Sequence, residues 1–373
     1  VLLARSTRPS IRNNPASGQR TRSRGHRARA AERGGEAPPA RLRLRLAAAK
    51  RGPALAAAAL LALPAAAFAE WIGEAIDLMG TRVSVELWHE DPAVGRELVD
   101  MVLDDYRRID REMSTYRPDS QISRVNAEAA ERPVVVDREL LSIVGRALEL
   151  SAASDGAFDI TYESVGYLYD FRARLRPSDD DIAARLDAID YRHVELDARA
   201  STIRFKAPGV RINLGGIAKG YAVERAAALL RKRGVRHAVL NAGGDSRVLG
   251  DRRGRPWIIG IRHPRVDGEV VTRLPLVDEA VSTSGDYERY FEDDGRRYHH
   301  ILNPRTGEPT EGVVSVTVIG PDATTTDGLS TSVFVLGPAA GLELIERFPG
   351  YEAVIVDAEG RLSYSSGLAP PAD

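Results

Sequence analysis

The side chains best suited to chemistry on a phosphate lie around two glycine pairs. Gly215 and Gly216 are followed by Lys219 and Gly220, and Gly243 and Gly244 are followed by Asp245. Lysine offers a point charge to phosphate oxygens, and glycine lets backbone amides approach an anion closely. An apolar run with Val210 and Ile212 precedes the first pair, and Ala218, Ala222, Ala226, Leu229 and Leu230 recur behind it at helical spacing. This pattern predicts strand, tight turn and helix, with Gly234 as the stop and Ala238 to Leu240 as a second buried strand. Two glycine turns and a helix N-terminus would then share one end of a sheet, a placement that suits a phosphate. Taken alone it is equally an ordinary strand-turn-helix, because neither the Walker spacing nor the dinucleotide glycine fingerprint occurs.

Asp327, Ser330 and Thr331 open a second candidate site, on a helix expected from Gly328 to Leu336 and closed by Gly337 and Pro338. Their spacing puts three oxygen-bearing side chains on neighbouring positions of one helical face. Such a set suits Mg²⁺, which takes few carboxylates, neutral oxygens and substrate phosphates. By itself the pattern reads more simply as an N-cap aspartate and a surface threonine. Asp159 beside Phe158, just after the Asp155-Gly156 stop, likewise reads as a cap and a core ring. Tyr116, in the polar turn 114–120, carries a ring suited to stacking on a planar ligand or to ordinary packing.

Composition narrows the partners. The chain has 373 residues with 52 Lys or Arg, 53 Asp or Glu and no cysteine. Disulfides, thiolate metal sites, a cysteine nucleophile and a lipid-carrying cysteine are thereby excluded from it. Residues 1–52 hold fourteen Arg or Lys against two Glu and no apolar periodicity, and are expected to be a disordered basic leader. Residues 53–69 form an uncharged apolar run ending in Ala67-Phe68-Ala69, which reads as a signal peptide cut before Glu70, with a retained membrane anchor as the alternative. The basic stretch exceeds an ordinary n-region, so a start near Arg41 is expected. Without residues 1–69, 38 basic and 51 acidic groups remain, a net of about −13, which makes nucleic acid a poor partner. Export without disulfides fits a periplasmic protein.

The scaffold follows from periodicity. Residues 81–87 alternate as a half-buried strand, 92–113 and 137–154 read as helices, 175–186 as an amphipathic segment and 191–205 as a hairpin. Strands are expected at 257–261, 274–282 and 313–319. Strands and helices mix without a strict βαβ repeat, so the fold class is α/β of the mixed α+β kind, with no internal repeat.

In combination these stretches carry a resemblance. Met79-Gly80-Thr81, Met113-Ser114-Thr115-Tyr116, Gly156-Ala157-Phe158-Asp159, Leu214 to Gly220, Asn241 to Asp245, Ser284 to Tyr287, His300 to Gly307 and Asp327 to Thr331 closely resemble the ApbE family of FAD:protein FMN transferases in content and order. The likeness extends over residues 71–366. It implies a T-fold-like α/β architecture with two lobes and an FAD cleft between them, Mg²⁺ at the pyrophosphate, and FAD as substrate. The implied activity moves FMN onto a threonine of an acceptor protein as a phosphodiester and releases AMP. Alternatives are an Mg²⁺-dependent FAD pyrophosphatase and a non-enzymatic flavin-binding protein.

The resemblance also assigns residues. Met79, Tyr116, Ala157, Phe158, Asp159, Asn213, Lys219 and Ile301 would contact FAD. The carbonyl of Gly216 with Asp327, Ser330 and Thr331 would hold the metal, and His300 would be the catalytic base, with an ordinary pKa. The acceptors it implies are exported or membrane-bound electron-transfer subunits carrying a Ser/Thr-Gly-Ala-Thr type sequence. Two positions depart from the family pattern: Asn213 and Asn303 each stand where aspartate is usual, which bears on affinity more than on reaction type.

Overall fold

The alternating run of residues 81–87 pairs with the strand before it, and this hairpin begins the computed structural model, which describes residues 70–266 and 268–368. The leader expected at 1–52 and the signal peptide expected at 53–69 lie outside the described residues. The first half runs β1 (Glu70–Leu78), β2 (Thr81–His89), α1 (Pro92–Met113), α2 (Gln121–Glu128), β3 (Val134–Val135), α3 (Arg138–Ala153), α4 (Glu163–Gly166) and α5 (Asp179–Leu186). The hairpin β4 (Val194–Asp197) and β5 (Thr202–Phe205) leads to α6 (Ala218–Lys232), β6 (Ala238–Ala242) and β7 (Asp245–Leu249). Two further hairpins bracket β10 (Ala280–Gly285): β8 (Trp257–Arg262) with β9 (Val270–Leu276), and β11 (Tyr290–Asp293) with β12 (Arg296–His299). The chain finishes with β13 (Val313–Gly320), α7 (Ala323–Leu336), α8 (Pro338–Ile345), β14 (Glu352–Asp357) and β15 (Leu362–Tyr364).

Eight strands form the main sheet in the order β1-β2-β6-β7-β10-β13-β14-β15, and every neighbouring pair in it is antiparallel. Helices α1, α6 and α7 pack on it, and all eight residues of β13 are buried. Helix α1 shows how sequence sets this arrangement. The Asp91 side chain accepts from Ala93 N and Val94 N, Pro92 occupies the first turn, and Leu98, Val99, Val102, Tyr106, Ile109 and Met113 form the buried face. Each fully buried side chain of that size contributes about 1.5–3 kcal/mol. The main core is continuous from the sheet to Val194, Ile203 and Phe205 of the small β3-β5-β4 sheet. The β8–β9 hairpin covers a second cluster built from Val239, Val248, Trp257, Leu276 and Val281. Among the described residues no helix is long and apolar enough to cross a membrane.

Three local expectations are corrected. Residues 210–214 form no strand: Asn126 Nδ2 donates to Ile212 O at 2.9 Å and its Oδ1 accepts from Ile212 N at 2.7 Å, so one amide side chain replaces a neighbouring strand. The strand expected at 274–282 is two strands, because Asp278 turns the chain with φ 56° and sends β9 to its own hairpin and β10 to the main sheet. Helix α7 begins at Ala323 rather than Gly328, and its cap is Asp322, whose side chain accepts from Thr325 N. Asp327 therefore lies inside the helix, and the cap reading for it fails.

Candidate active site

A cavity of about 1060 Å³ opens where the β1–β2 turn, the β6–β7 turn and the end of β10 come together. The rest of its wall comes from residues within 109–117, 157–172, 211–219 and 288–290, from 300–302 and Pro304, and from Asp327 and Thr331 of α7. A space of that size accommodates a dinucleotide. Its rim includes a strained element: Met79 and Gly80 both have positive φ, 55° and 72°, the pairing that a two-residue hairpin turn requires. A non-glycine residue held there on a cavity wall is the kind of strain found at functional sites.

The innermost charges come from the crossing of α6 and α7. A Cβ on Gly220 would overlap the Ala323 carbonyl and come within 2.6 Å of Asp327 Cβ, so glycine permits the crossing. Ile217, the residue before α6, gives no side-chain cap, and Gly220 N donates instead to Asp327 Oδ2 at 2.9 Å. Helix α7 thus caps helix α6 with a carboxylate, favourable at the positive end of a helix dipole. Lys219 Nζ lies 3.4 Å from Asp327 Oδ1 and 2.8 Å from Asp245 Oδ2. The second contact is a short ion pair to a fully buried carboxylate, and among the described residues Lys219 is the one group that answers the Asp245 oxygens. Burial and the Asp245 charge push the Asp327 carboxyl up, and Lys219 and the Gly220 amide only partly oppose them. Burial lowers the lysine, but the two carboxylates outweigh it and keep the ammonium charged. Two buried acids thus face one ammonium, an imbalance that either a retained proton or a bound cation relieves.

Thr331 and Gly216 stand beside this cluster: a Cβ on Gly216 would meet Thr331 Oγ1 at 3.2 Å and Phe158 Cε2 at 3.1 Å. Asp327, Thr331 and the glycine elbow are therefore together on one cavity wall. Ser330 is not on that wall. Its hydroxyl donates to Asp327 O at 2.9 Å and meets Ser284 Oγ at 2.8 Å, so it supports the donor set from behind. Among the described residues no three His, Cys, Asp or Glu converge to hold a metal by themselves. The Asp327 carboxylate with the neutral oxygens of Thr331 and Gly216, and the buried Asp245 carboxylate behind Lys219, nonetheless match the ligand preference of a hard divalent cation completed by substrate oxygens.

Met79, Tyr116, Ala157, Phe158, Asp159, Asn213, Lys219, His300 and Ile301 all line the same cavity. Their roles differ. Tyr116 is 74% exposed, with the Arg289 guanidinium over its ring at 5.2 Å and donating to its hydroxyl. Asp159 is buried and already engaged, its Oδ1 accepting from Thr161 N and Oγ1 and its Oδ2 from Tyr191 N, so it holds the loop rather than offering a free acceptor. His300 Nδ1 lies 3.3 Å from Arg289 O. A carbonyl only accepts, so Nδ1 carries the proton and Nε2 is the basic nitrogen. The ordinary histidine pKa expected from sequence is corrected: burial, then the neighbouring His299, Arg289 and Lys219, push it down to about 3. The ring keeps accessible surface on the cavity side while the protein packs around it, and at neutral pH it is uncharged. Asn303 is outside the cavity lining, its Oδ1 accepting from Arg305 N in a local turn that a carboxylate would fill equally well.

Sequence reasoning gave no role to two wall residues, Glu163 and Arg289, or to Asp245, buried just behind the wall. Asp245 was flagged only as the acid behind a glycine pair, which is the signal that would have found it. Arg289 and Glu163 had no such signal, the latter being an isolated acid in an aperiodic segment. Glu163 is buried, accepts from Asn213 Nδ2 at 2.9 Å, and has its pKa pushed up to about 7 by burial against the opposing effects of Asn213, Arg211 and Arg289.

Residues 79–355 match the model of the ApbE family. The chain belongs to the ApbE family. Among curated proteins it is similar to the FAD:protein FMN transferase of Vibrio cholerae, 35% identical over 272 residues that make up 70% of this chain and 80% of the relative. It is also similar to that of Klebsiella pneumoniae, 32% identical over 293 residues, 78% of this chain and 90% of the relative. Among solved structures, the ApbE protein of Thermotoga maritima superposes with a TM-score of 0.74 at 37% identity, covering 80% of this chain and 98% of that one. The flavin transferase ApbE of Vibrio cholerae gives 0.71 at 31% identity with the same coverage. The ApbE relatives thus share the mixed α/β fold described above.

Proposed function

We propose that this chain is an FAD:protein FMN transferase, moving FMN from FAD to a threonine hydroxyl of an acceptor flavoprotein. Membership of a family whose relatives carry that activity supports the reading. The structural observation that carries it is the convergence of the predicted flavin residues with Lys219 and Asp327 on one dinucleotide-sized cavity, with Asp245 buried directly behind Lys219.

In the reaction, the acceptor hydroxyl oxygen bonds to the FMN phosphorus as the bridging pyrophosphate bond breaks, and AMP leaves with the bridging oxygen. The hydroxyl proton goes to His300 Nε2, which is unprotonated at neutral pH. A pyrophosphate brought into the cavity adds negative charge, which raises the proton affinity of that imidazole when it is needed. Lys219 is held charged at the amino end of α6 and offers an ammonium to the phosphate oxygens. Asp327, Thr331 and the Gly216 carbonyl are the groups that would hold Mg²⁺, with Asp245 beside them. When bound, the ion neutralises charge developing on the pyrophosphate. No covalent enzyme intermediate is required.

The acceptor sequence type, Ser/Thr-Gly-Ala-Thr on exported or membrane-bound electron-transfer subunits, and the periplasmic location belong to the same proposal, supported by family likeness and by the export signal expected from sequence. The test is to incubate the protein with FAD, Mg²⁺ and an acceptor domain bearing that sequence, then to follow products by mass spectrometry. An acceptor heavier by one FMN group, with equimolar AMP, is expected. Free FMN and AMP at a rate indifferent to acceptor would instead identify a pyrophosphatase, and bound but unconverted FAD a flavin-binding protein.

A further inference from the structure

Glu163 opens α4 on the cavity wall, 8% exposed, and its only hydrogen-bond donor among the described residues is Asn213 Nδ2, at 2.9 Å. The same Nδ2 donates to Thr115 Oγ1 at 3.3 Å, while Asn213 Oδ1 accepts from Gly215 N at 2.8 Å and Asn213 N donates to Ile160 O at 2.9 Å. The amide is thereby keyed, its nitrogen toward Glu163 and its oxygen toward the first glycine of the elbow. That elbow carries Gly216 against Thr331, and Lys219 lies one helical turn beyond Gly215.

We infer that Glu163 is a positioning residue for the glycine elbow, acting through Asn213, so that positions 163 and 213 are exchangeable only as a pair. An amide at 213 is the side chain that can accept from Gly215 N and donate to a carboxylate at once. Aspartate at 213 keeps the first bond and sets a second carboxylate against Glu163, which stabilises a shared proton and is unfavourable once that proton leaves. Arg211 and Arg289 face Glu163 with positive charge, and the buried Tyr162 faces it with a phenol that stays neutral. Glutamine at 163 removes the conflict, because its amide nitrogen donates to an aspartate at 213. Aspartate at 213 is thus disfavoured by the local partner rather than by the ligand.

The variants Asn213→Asp, Glu163→Gln and the double variant decide the point, with FAD affinity read from flavin fluorescence quenching in Mg²⁺ and melting temperature read without FAD, both at pH 6 and pH 8.5. Asn213→Asp is expected to weaken FAD binding about tenfold or more at pH 8.5 and markedly less at pH 6, where the carboxylate pair holds a proton. The double variant is expected within about threefold of wild type at both values, the non-additivity of a coupled pair. Melting temperature should follow the same pattern. Loss of affinity in Asn213→Asp that is equal at the two pH values, or persists undiminished in the double variant, overturns the pairing. If Asn213→Asp does not fold, Glu163→Ala is compared with Glu163→Gln: glutamine keeps an acceptor for Asn213 and alanine does not, so at least about threefold weaker FAD binding is expected for alanine, and equal values overturn the positioning role. That role rests on the flavin reading. A wild-type protein that takes up no FAD removes both, while the melting arm still decides whether the two side chains are coupled.

Discussion

Two sets of carboxylates in this molecule are compensated in opposite ways. On the scaffold, Asp105 and Glu139 are matched by Arg108 and Arg225 across α1, α3 and α6, with Tyr221 donating to Glu139 as well. Burial alone would push Glu139 up, but the bonds from Arg108 and Tyr221 and the Arg225 charge carry it below the usual carboxylate range. On the cavity wall, Asp159, Glu163 and Asp327 are all pushed up, because burial there outweighs the partners provided. Each carboxyl with a resolved upward shift lines the cavity, and each with a downward shift, including Asp190, Asp357, Glu346 and Asp181, lies outside it. Stability is built where charges balance, and function sits where the protein leaves the balance to a ligand.

Asp327→Asn breaks that contrast most sharply. It keeps an acceptor for Gly220 N and removes the imbalance, so transfer is expected to fall about 1000-fold, read from covalent flavin formation, while the ligand-free melting temperature holds or rises. The pH dependence comes next. Glu163 has a raised folded pKa, so its contribution to stability is complete below the unfolded value near 4.5 and is lost as pH rises through about 7. Denaturant titrations from pH 4.5 to 8.5 should show wild type losing up to about 3 kcal/mol relative to Glu163→Gln over that window. Glu139 has a lowered pKa and does the reverse: its contribution is present above the unfolded value and lost as pH falls. His300→Ala is expected to slow transfer about 100-fold with FAD affinity nearly unchanged, checked by single-turnover kinetics beside a binding isotherm. Glu139→Gln should cost about 1–2 kcal/mol in denaturant unfolding with the transfer rate intact, the mirror image of Asp327→Asn. Asn303→Asp, on a satisfied turn outside the cavity, should change neither by more than about 0.5 kcal/mol.

What the sequence disclosed follows the same physics. Helix α1 was legible end to end because Asp91 and Pro92 start it and its apolar residues repeat along one face. Helix α7 was legible only in part: Thr324, Thr325 and Thr326 are buried, and a helix covered all round has no polar face to set a period. The false strand at 210–212 came from β-branched residues whose backbone is satisfied by Asn126, 86 positions away, which no local pattern reveals. The site was legible through ordered motifs and family likeness. Spacing alone could not join Lys219 to Asp327 across 108 positions, since that needs the glycine-mediated crossing of α6 and α7. For Ser330, helical spacing beside Asp327 did not reveal that its hydroxyl is engaged by Asp327 O and Ser284 behind the cavity lining.

The most direct test is covalent flavin on a denatured acceptor, compared with and without a divalent chelator and between wild type and Asp327→Asn. Fluorescent acceptor that requires FAD and Mg²⁺ together and nearly vanishes in the variant is the predicted result. Labelling that proceeds equally well after chelation, or at wild-type rate in Asp327→Asn, would contradict the claim that the charge imbalance at the α6–α7 crossing exists to hold a cation against the pyrophosphate.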